Sequence, residues 1–266
     1  MPKIKFRNPY SLKPPGSIYE ILEHPGNSSI AIELAVFQEH RYAFFYWSKW
    51  LSKNKLINPP CLVTFDWHQD LCYPCEGEKE ILKNLDITNQ GDVSVCCWAN
   101  LAGNNDGHIL AAAFLNLIGN IYVLCRQATL ETDWDDEEFV DLYGNKHLIK
   151  KFKDEKLMSE YLINSNEANV YFDIDLDYFT IKNPYNGIGK KFTYMPKRDI
   201  QKLLSVDSVL INWIFKRLCG ITIATEPEHC GGLLKSNQIL NTINSLYFEP
   251  ELFSQNCEWK HKLNSN

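Results

Sequence analysis

Cys61-Leu62-Val63-Thr64-Phe65-Asp66-Trp67-His68-Gln69-Asp70 is an apolar run that ends in two carboxylates and an imidazole. The run is short and does not alternate with polar residues. That pattern predicts a strand buried on both faces, as in a parallel sheet covered by helices. Carboxylates at the end of such a strand are costly unless they are paired or bound to a cation. The pattern recurs twice. Val170-Tyr171-Phe172 leads into Asp173-Ile174-Asp175-Leu176-Asp177, and Ile221-Thr222-Ile223-Ala224-Thr225 leads into Glu226-Pro227-Glu228-His229. Three acidic strand ends in one chain predict a shared, highly charged site.

Working outward, strand-like and helix-like runs alternate. Strands are expected at 29–36, 61–65, 92–98, 121–125, 169–174 and 221–225. Helices are expected at 38–51, 76–84, 154–162, 198–218 with a break near 205–208, and 233–246. A further helix should run to about Leu117, capped by Asn105 or Asp106. The stretch 130–166 is hard to read apart from its helix. The alternation predicts an α/β fold with a mainly parallel central sheet between helical layers. In such sheets ligands bind beyond the carboxyl ends of the strands, where all three acidic clusters lie. Residues 1–28 read as an N-terminal arm and 29–266 as one catalytic domain. The Gly/Pro/Asn-rich loop at 182–196 has the length of a segment that covers a ligand.

The 266 residues are 45% hydrophobic, enough for a sizeable core, and carry a net charge of −6. The acidic balance argues against nucleic acid as a partner and favours a cationic ligand. Glu131, Asp133, Asp135, Asp136, Glu137 and Glu138 crowd one stretch. It reads first as a solvated loop or acidic helix start, and second as an acidic lip for a basic substrate. Nine cysteines, an odd number, several of them in apolar runs, fit free thiols in a reducing cytoplasm. Cys72 and Cys75 form a lone C-x-x-C with no partner pair for a zinc ribbon. No apolar leader or membrane span is expected.

In an extended segment residues two apart share a face. Asp66, His68 and Asp70 can therefore converge, as can Asp173 and Asp175 from a second strand. Four carboxylates with few nitrogens favour a hard divalent ion such as Mn²⁺. Two ions sharing carboxylates would make a hydrolytic pair.

This combination resembles the arginase/agmatinase (ureohydrolase) superfamily, in which a D-x-H-x-D after one strand is followed about a hundred residues later by a D-x-D. Here Asp173 lies 103 residues beyond Asp70. The resemblance implies a three-layer α-β-α arginase-like fold and two Mn²⁺ per chain. It implies Asp66 and Asp173 as bridging ligands, His40 and Asp70 completing one metal, and His68 and Asp175 the other. It also implies Asp70 as the residue that orients the attacking water and carries its proton, and His108 as a proton relay to solvent. Glu226 would pair with the substrate guanidinium, with Asn104, Asp106 and Glu228 as neighbours at the rim. The D-I-D-L-D-Y-F and T-E-P-E-H-C-G-G motifs depart from those of arginases proper. With Q-E-H-R-Y-A-F-F-Y-W upstream they are similar to the atypical peptide arginases, which turn arginine residues of a ribosomal precursor peptide into ornithine. That resemblance implies an arginine-containing precursor peptide as partner and allows a homo-oligomer. The alternatives are a small-molecule ureohydrolase, a one-zinc deacetylase-like hydrolase, and a non-catalytic protein that binds basic peptides.

Overall fold

The computed structural model describes residues 12–54, 58–127, 134–182, 191–254 and 256–263. Ten strands and eight helices are defined among them. They are β1 (Ile18–His24), β2 (Asn27–Phe37), α1 (Ala43–Asn54), β3 (Cys61–Asp66), α2 (Glu76–Lys83), α3 (Gln90–Ala99), α4 (His108–Phe114), β4 (Ile121–Cys125), β5 (Glu137–Val140) and β6 (Lys146–Phe152). Then come α5 (Glu155–Ile163), β7 (Val170–Asp175), β8 (Thr180–Lys182), β9 (Thr193–Tyr194), α6 (Lys197–Leu203), α7 (Val209–Phe215), β10 (Leu218–Ala224) and α8 (Leu233–Tyr247).

Eight strands form one sheet in the order β1-β2-β10-β7-β3-β4-β6-β5. The six inner strands are parallel, and β1 and β5 close the two edges antiparallel. Every residue of β3, β4 and β7 is buried, as the unbroken apolar runs require. Successive side chains go to opposite faces. Val63, Phe65, Phe172 and Ile174 pack with residues of α5 to α8 on one side. Leu62, Val123, Tyr171 and Ala224 pack with residues of α1 to α4 on the other. The result is a three-layer α/β sandwich with a mainly parallel sheet, as expected. From β3 the chain winds one way, to β4 and β6. From β7 it winds the other way, to β10. The β3/β7 boundary is thus a topological switch point, where such sheets hold their ligands.

Three segments differ from the sequence reading. Residues 92–98 are not a strand but lie in α3. Asn89 caps it by accepting from the amides of Gly91 and Asp92. Val93, Cys96 and Cys97 are buried at helical spacing, while Val95 and Trp98 are exposed. Part of the expected N-terminal arm is sheet, since β1 pairs with β2 along its length. The hard-to-read middle contributes β5 and β6. There Glu137, Glu138 and Asp136 pair with Lys151, Lys146 and Lys150 of β6. This part of the acidic run is neutralised across the strands and forms neither a helix start nor an acidic lip. Glu131 and Asp133 lie outside the described residues, as does most of the loop expected at 182–196.

Gly220 of β10 lies flat against the ring of Trp50 in α1, and a Cβ there would overlap it. Gly220→Ala is expected to cost about 1–3 kcal/mol through overpacking. Urea denaturation should show a lower midpoint with an unchanged slope.

Candidate metal centre

Four adjacent parallel strands, β2, β10, β7 and β3, end at one place. The turn after β2 delivers His40 and the turn after β10 delivers Glu226 and His229. The end of β7 supplies Asp175 and Asp177, and the end of β3 supplies Asp66, His68 and Asp70. The loop before α4 adds Asn105, and the first residue of α4 is His108. On β3 and β7, Asp66 and Asp175 lie on the same face as Leu62 and Tyr171, toward α1.

Four of the carboxylates share one arrangement. In each, one oxygen is fixed by the protein. Asp66 Oδ1 accepts from the His68 amide at 2.7 Å, Asp175 Oδ1 from the Asp177 amide at 2.9 Å, and Asp177 Oδ1 from the Trp67 amide at 3.0 Å. Glu226 Oε1 accepts from the His40 amide at 3.1 Å and from Asn105 Nδ2 at 2.6 Å. The second oxygens face one another across the site. Asp66 Oδ2 and Asp177 Oδ2 are buried without a hydrogen-bond donor. His40 Nδ1 lies 3.1 Å from Asp70 Oδ2, 3.2 Å from Asp175 Oδ2 and 3.4 Å from Asp66 Oδ2. His68 Nδ1 lies 3.1 Å from Asp177 Oδ2.

Asp173, expected as a bridging ligand, sits one rung lower. It is aligned with Thr64 and Thr222 on the flanking strands. Its Oδ1 accepts from Thr222 Oγ1 at 2.5 Å, and its Oδ2 from Thr64 Oγ1 at 2.8 Å. His40 Nε2 lies 2.8 Å from the same Oδ2. With both oxygens engaged, Asp173 orients His40 so that Nδ1 faces the cluster. The inward carboxylates of this segment are Asp175 and Asp177. Residues 173, 175 and 177 are each two apart, so periodicity alone could not say which pair faces inward. The signal that separates them is the polar rung, Thr64 and Thr222, which hydrogen bonds Asp173 inside the sheet.

His108 is enclosed. Its ring lies 4.3 Å from that of His40 and 5.6 Å from that of Trp47, and it has no exposed surface. Its Nδ1 meets the Asn105 carbonyl at 2.8 Å, which leaves Nε2 buried without a hydrogen-bond partner. Burial, reinforced by His40, pushes its pKa down to about 4, so the ring is neutral. The solvent relay expected of His108 has no direct path to water. Asn104 and Asp106 do line the cavity mouth. Glu228 is exposed and does not line it. The expected cap residue Asn105 is instead a buried strut, left-handed at φ +62°. Its side chain holds Glu226 and its carbonyl holds His108. Asp70 (φ +51°) and Glu226 (φ +28°) are also left-handed, a strain that recurs at functional sites. Cys72 lines the cavity and Cys75 begins α2, both as free thiols.

Six carboxylates thus converge: Asp66, Asp70, Asp173, Asp175, Asp177 and Glu226. Among the described residues none of them forms an ion pair with a lysine or arginine. Burial, then the charge of neighbouring carboxylates, raises the pKa of Asp66, Asp175 and Glu226. For Asp173 and Asp70, burial is outweighed by His40 and the pKa falls. The same carboxylates overcome burial at the imidazoles. His40 is raised well above its usual value, and His68 is pushed up to about 10, chiefly by Asp177. Preorganised oxygens without donors, in excess of local positive charge, suit a pair of hard divalent cations. His40 and Asp70 on one side and His68 and Asp177 on the other would hold one ion each, with Asp66 and Asp175 between them. The site opens into a cavity of about 330 Å³ lined by Gln69, Leu71, Asn104, Asp106, Gln127 and Glu226 among others.

No protein-family model and no curated protein matches the chain. Solved structures do. Proclavaminate amidino hydrolase from Streptomyces clavuligerus aligns at 11% identity over 72% of this chain and 54% of that one, with a TM-score of 0.40. Entamoeba histolytica arginase, in complex with L-ornithine, aligns at 14% over 80% and 68%, with a TM-score of 0.42. Agmatine ureohydrolase of Thermoplasma volcanium aligns at 16% over 78% and 59%, with a TM-score of 0.37. The chain spans about half the length of the first of these. What the site can do follows from its own geometry.

Two outcomes are expected. Asp175→Asn and Asp177→Asn should each reduce the number of divalent ions bound. Asp173→Asn should keep that number but weaken affinity by about 10- to 100-fold, as loss of a ligand's support does. Equilibrium dialysis with elemental analysis distinguishes them. Second, groups whose folded pKa lies above the unfolded one lose their stabilising contribution as pH rises. Asp66, Asp175, Glu226, His40 and His68 all have this sign. His108, shifted the other way, has completed its effect by about pH 7. Chelator-treated protein should therefore melt at progressively lower temperature from about pH 7 to pH 10. Added Mn²⁺ should restore more at higher pH, because its ligands must be deprotonated.

Proposed function

We propose that this chain is a binuclear metal-dependent ureohydrolase that converts arginine residues of a peptide into ornithine residues and urea. The observation that carries the reading is Glu226. Its Oε1 is held by the His40 amide and Asn105, so Oε2 is presented to the cavity beside the carboxylate cluster. A planar guanidinium is the cation best matched to a fixed carboxylate. The cavity rim separates substrates. Its described lining holds Asp70, Asp106 and Glu226 but no lysine or arginine. Free arginine brings an α-carboxylate that would need a positive partner there. An arginine within a peptide has none, and this supports the peptide reading over free arginine.

Two divalent cations bound at the cluster would acidify a water molecule and stabilise charge developing at the guanidinium carbon. The chain's residues do the rest. Glu226 fixes the guanidinium so that its carbon faces the cluster. Asp70, kept ionised mainly by His40 against the effect of burial, can take a proton from the attacking water. It can then give that proton to the side-chain nitrogen as the C–N bond breaks. Water adds to the carbon, the amine leaves protonated, and urea is the second product. Neutral His108 walls the site behind His40, and Asn105 keeps both Glu226 and His108 in place.

The decisive test incubates the Mn²⁺-loaded protein with an arginine peptide and, separately, with free arginine. Mass spectrometry should show a loss of about 42 Da per modified arginine, the mass change of guanidinium hydrolysis, which is chemistry a paired-metal site can supply. Free arginine should react far more slowly. Equal turnover of free arginine would move the assignment to a small-molecule ureohydrolase. Glu226→Gln removes the charge but keeps the shape. It should weaken guanidinium binding by about 10- to 100-fold, matching the roughly 1.5–3 kcal/mol of a charged hydrogen bond. Competition by guanidinium compounds reads this directly.

A further inference from the structure

We propose that His229 is a third donor, with His68 and Asp177, to the cation on the β3/β7 side of the site. This rests on the reading of the cluster as a paired cation centre. The ligand atoms of His68, Asp177 and His229 all lie within 4.8 Å of one another. The His68 and His229 rings are 5.6 Å apart and nearly perpendicular. Asp177 has no exposed surface, and its inward Oδ2 makes no well-aligned hydrogen bond, its close contact being His68 Nδ1 at 3.1 Å. A buried acceptor facing two imidazoles is a place for a cation.

The chain builds this position with care. After β10, the amides of His229 and Cys230 both bond to the Glu226 carbonyl, which folds the turn back over the site. Gly231 and Gly232 follow at φ +80° and +105°. A Cβ on Gly231 would strike Tyr194 and Phe192, and both glycines hold a positive φ that other residues rarely adopt. Tyr194 Oη in turn donates to the Cys230 carbonyl at 3.1 Å.

A second imidazole changes the chemistry of that position. One nitrogen among carboxylates suits manganese or magnesium, whereas two nitrogens move the preference toward zinc, cobalt or iron. His229 would thus set which metal this half of the pair selects.

The test uses full-length protein stripped with chelator and re-loaded with Zn²⁺, Mn²⁺ or Co²⁺. Wild type, His229→Ala and His229→Cys are compared by calorimetry and elemental analysis. His229→Ala should bind one ion normally and the second Zn²⁺ at least about 10-fold more weakly, the smallest loss typical of a disturbed ligand set. The Mn²⁺ affinity should fall less. His229→Cys should recover Zn²⁺ binding. With Co²⁺ it should show a near-ultraviolet thiolate-to-cobalt band absent from wild type, which only direct ligation produces. The proposal is overturned if His229→Ala binds both ions like wild type, or if the cysteine variant gives no such band. Wild type that binds no cation at all would overturn the paired-centre reading itself, a visibly different result.

Discussion

Everything in this molecule turns on the cost of burying negative charge. Four parallel strands bring their carboxyl ends together, and the six carboxylates delivered there find no lysine or arginine among the described residues. Burying one unpaired carboxylate is prohibitive for a fold of marginal stability. The sheet supports six because each has one oxygen or both satisfied from within, by amides, threonine hydroxyls or histidine rings. What remains is a set of inward oxygens whose repulsion is relieved by proton uptake, as the raised pKa values of Asp66, Asp175 and Glu226 express, or by a bound cation.

Much of this was legible in the sequence, for a specific reason. The strands that build the site are central and buried on both faces, so their apolar runs are unmistakable, and carboxylates placed directly after them stand out. The edges were not legible. β1 is an amphipathic edge strand inside a segment that looked like an arm. β5 and β6 pair along a backbone ladder flanked by lysine–glutamate contacts, which composition reads as solvated charge. Residues 92–98 carry valine and tryptophan, which favour strands, and only the buried spacing of Val93, Cys96 and Cys97 marks the helix.

Within the site, the sequence identified the participants better than their roles. Asp66, His68, Asp70, Asp175 and Glu226 converge where the pattern placed them. Asp177, not Asp173, offers a buried oxygen without a hydrogen bond, because the chain leaves β7 at Asp175 and turns into a short 3-10 helix, where a period of two no longer applies. The discriminating feature is tertiary, namely two threonines on neighbouring strands at the same rung as Asp173. His108 illustrates the same limit. A histidine at a helix start looks available to solvent until α1 brings Trp47 and the preceding turn brings His40 against it.

The arrangement also shows how one residue can join two functions. Asn105 reaches Glu226 with its side chain and His108 with its carbonyl. It can do so because it adopts a left-handed conformation that asparagine tolerates better than most residues. The group proposed to meet the substrate and the imidazole that walls the cluster are therefore referenced to a single backbone position. Glu226 is itself strained at φ +28°, and its Oε1 also receives the His40 amide. The carboxylate proposed to meet the substrate and the residues proposed to hold the metals are thus linked by shared hydrogen bonds.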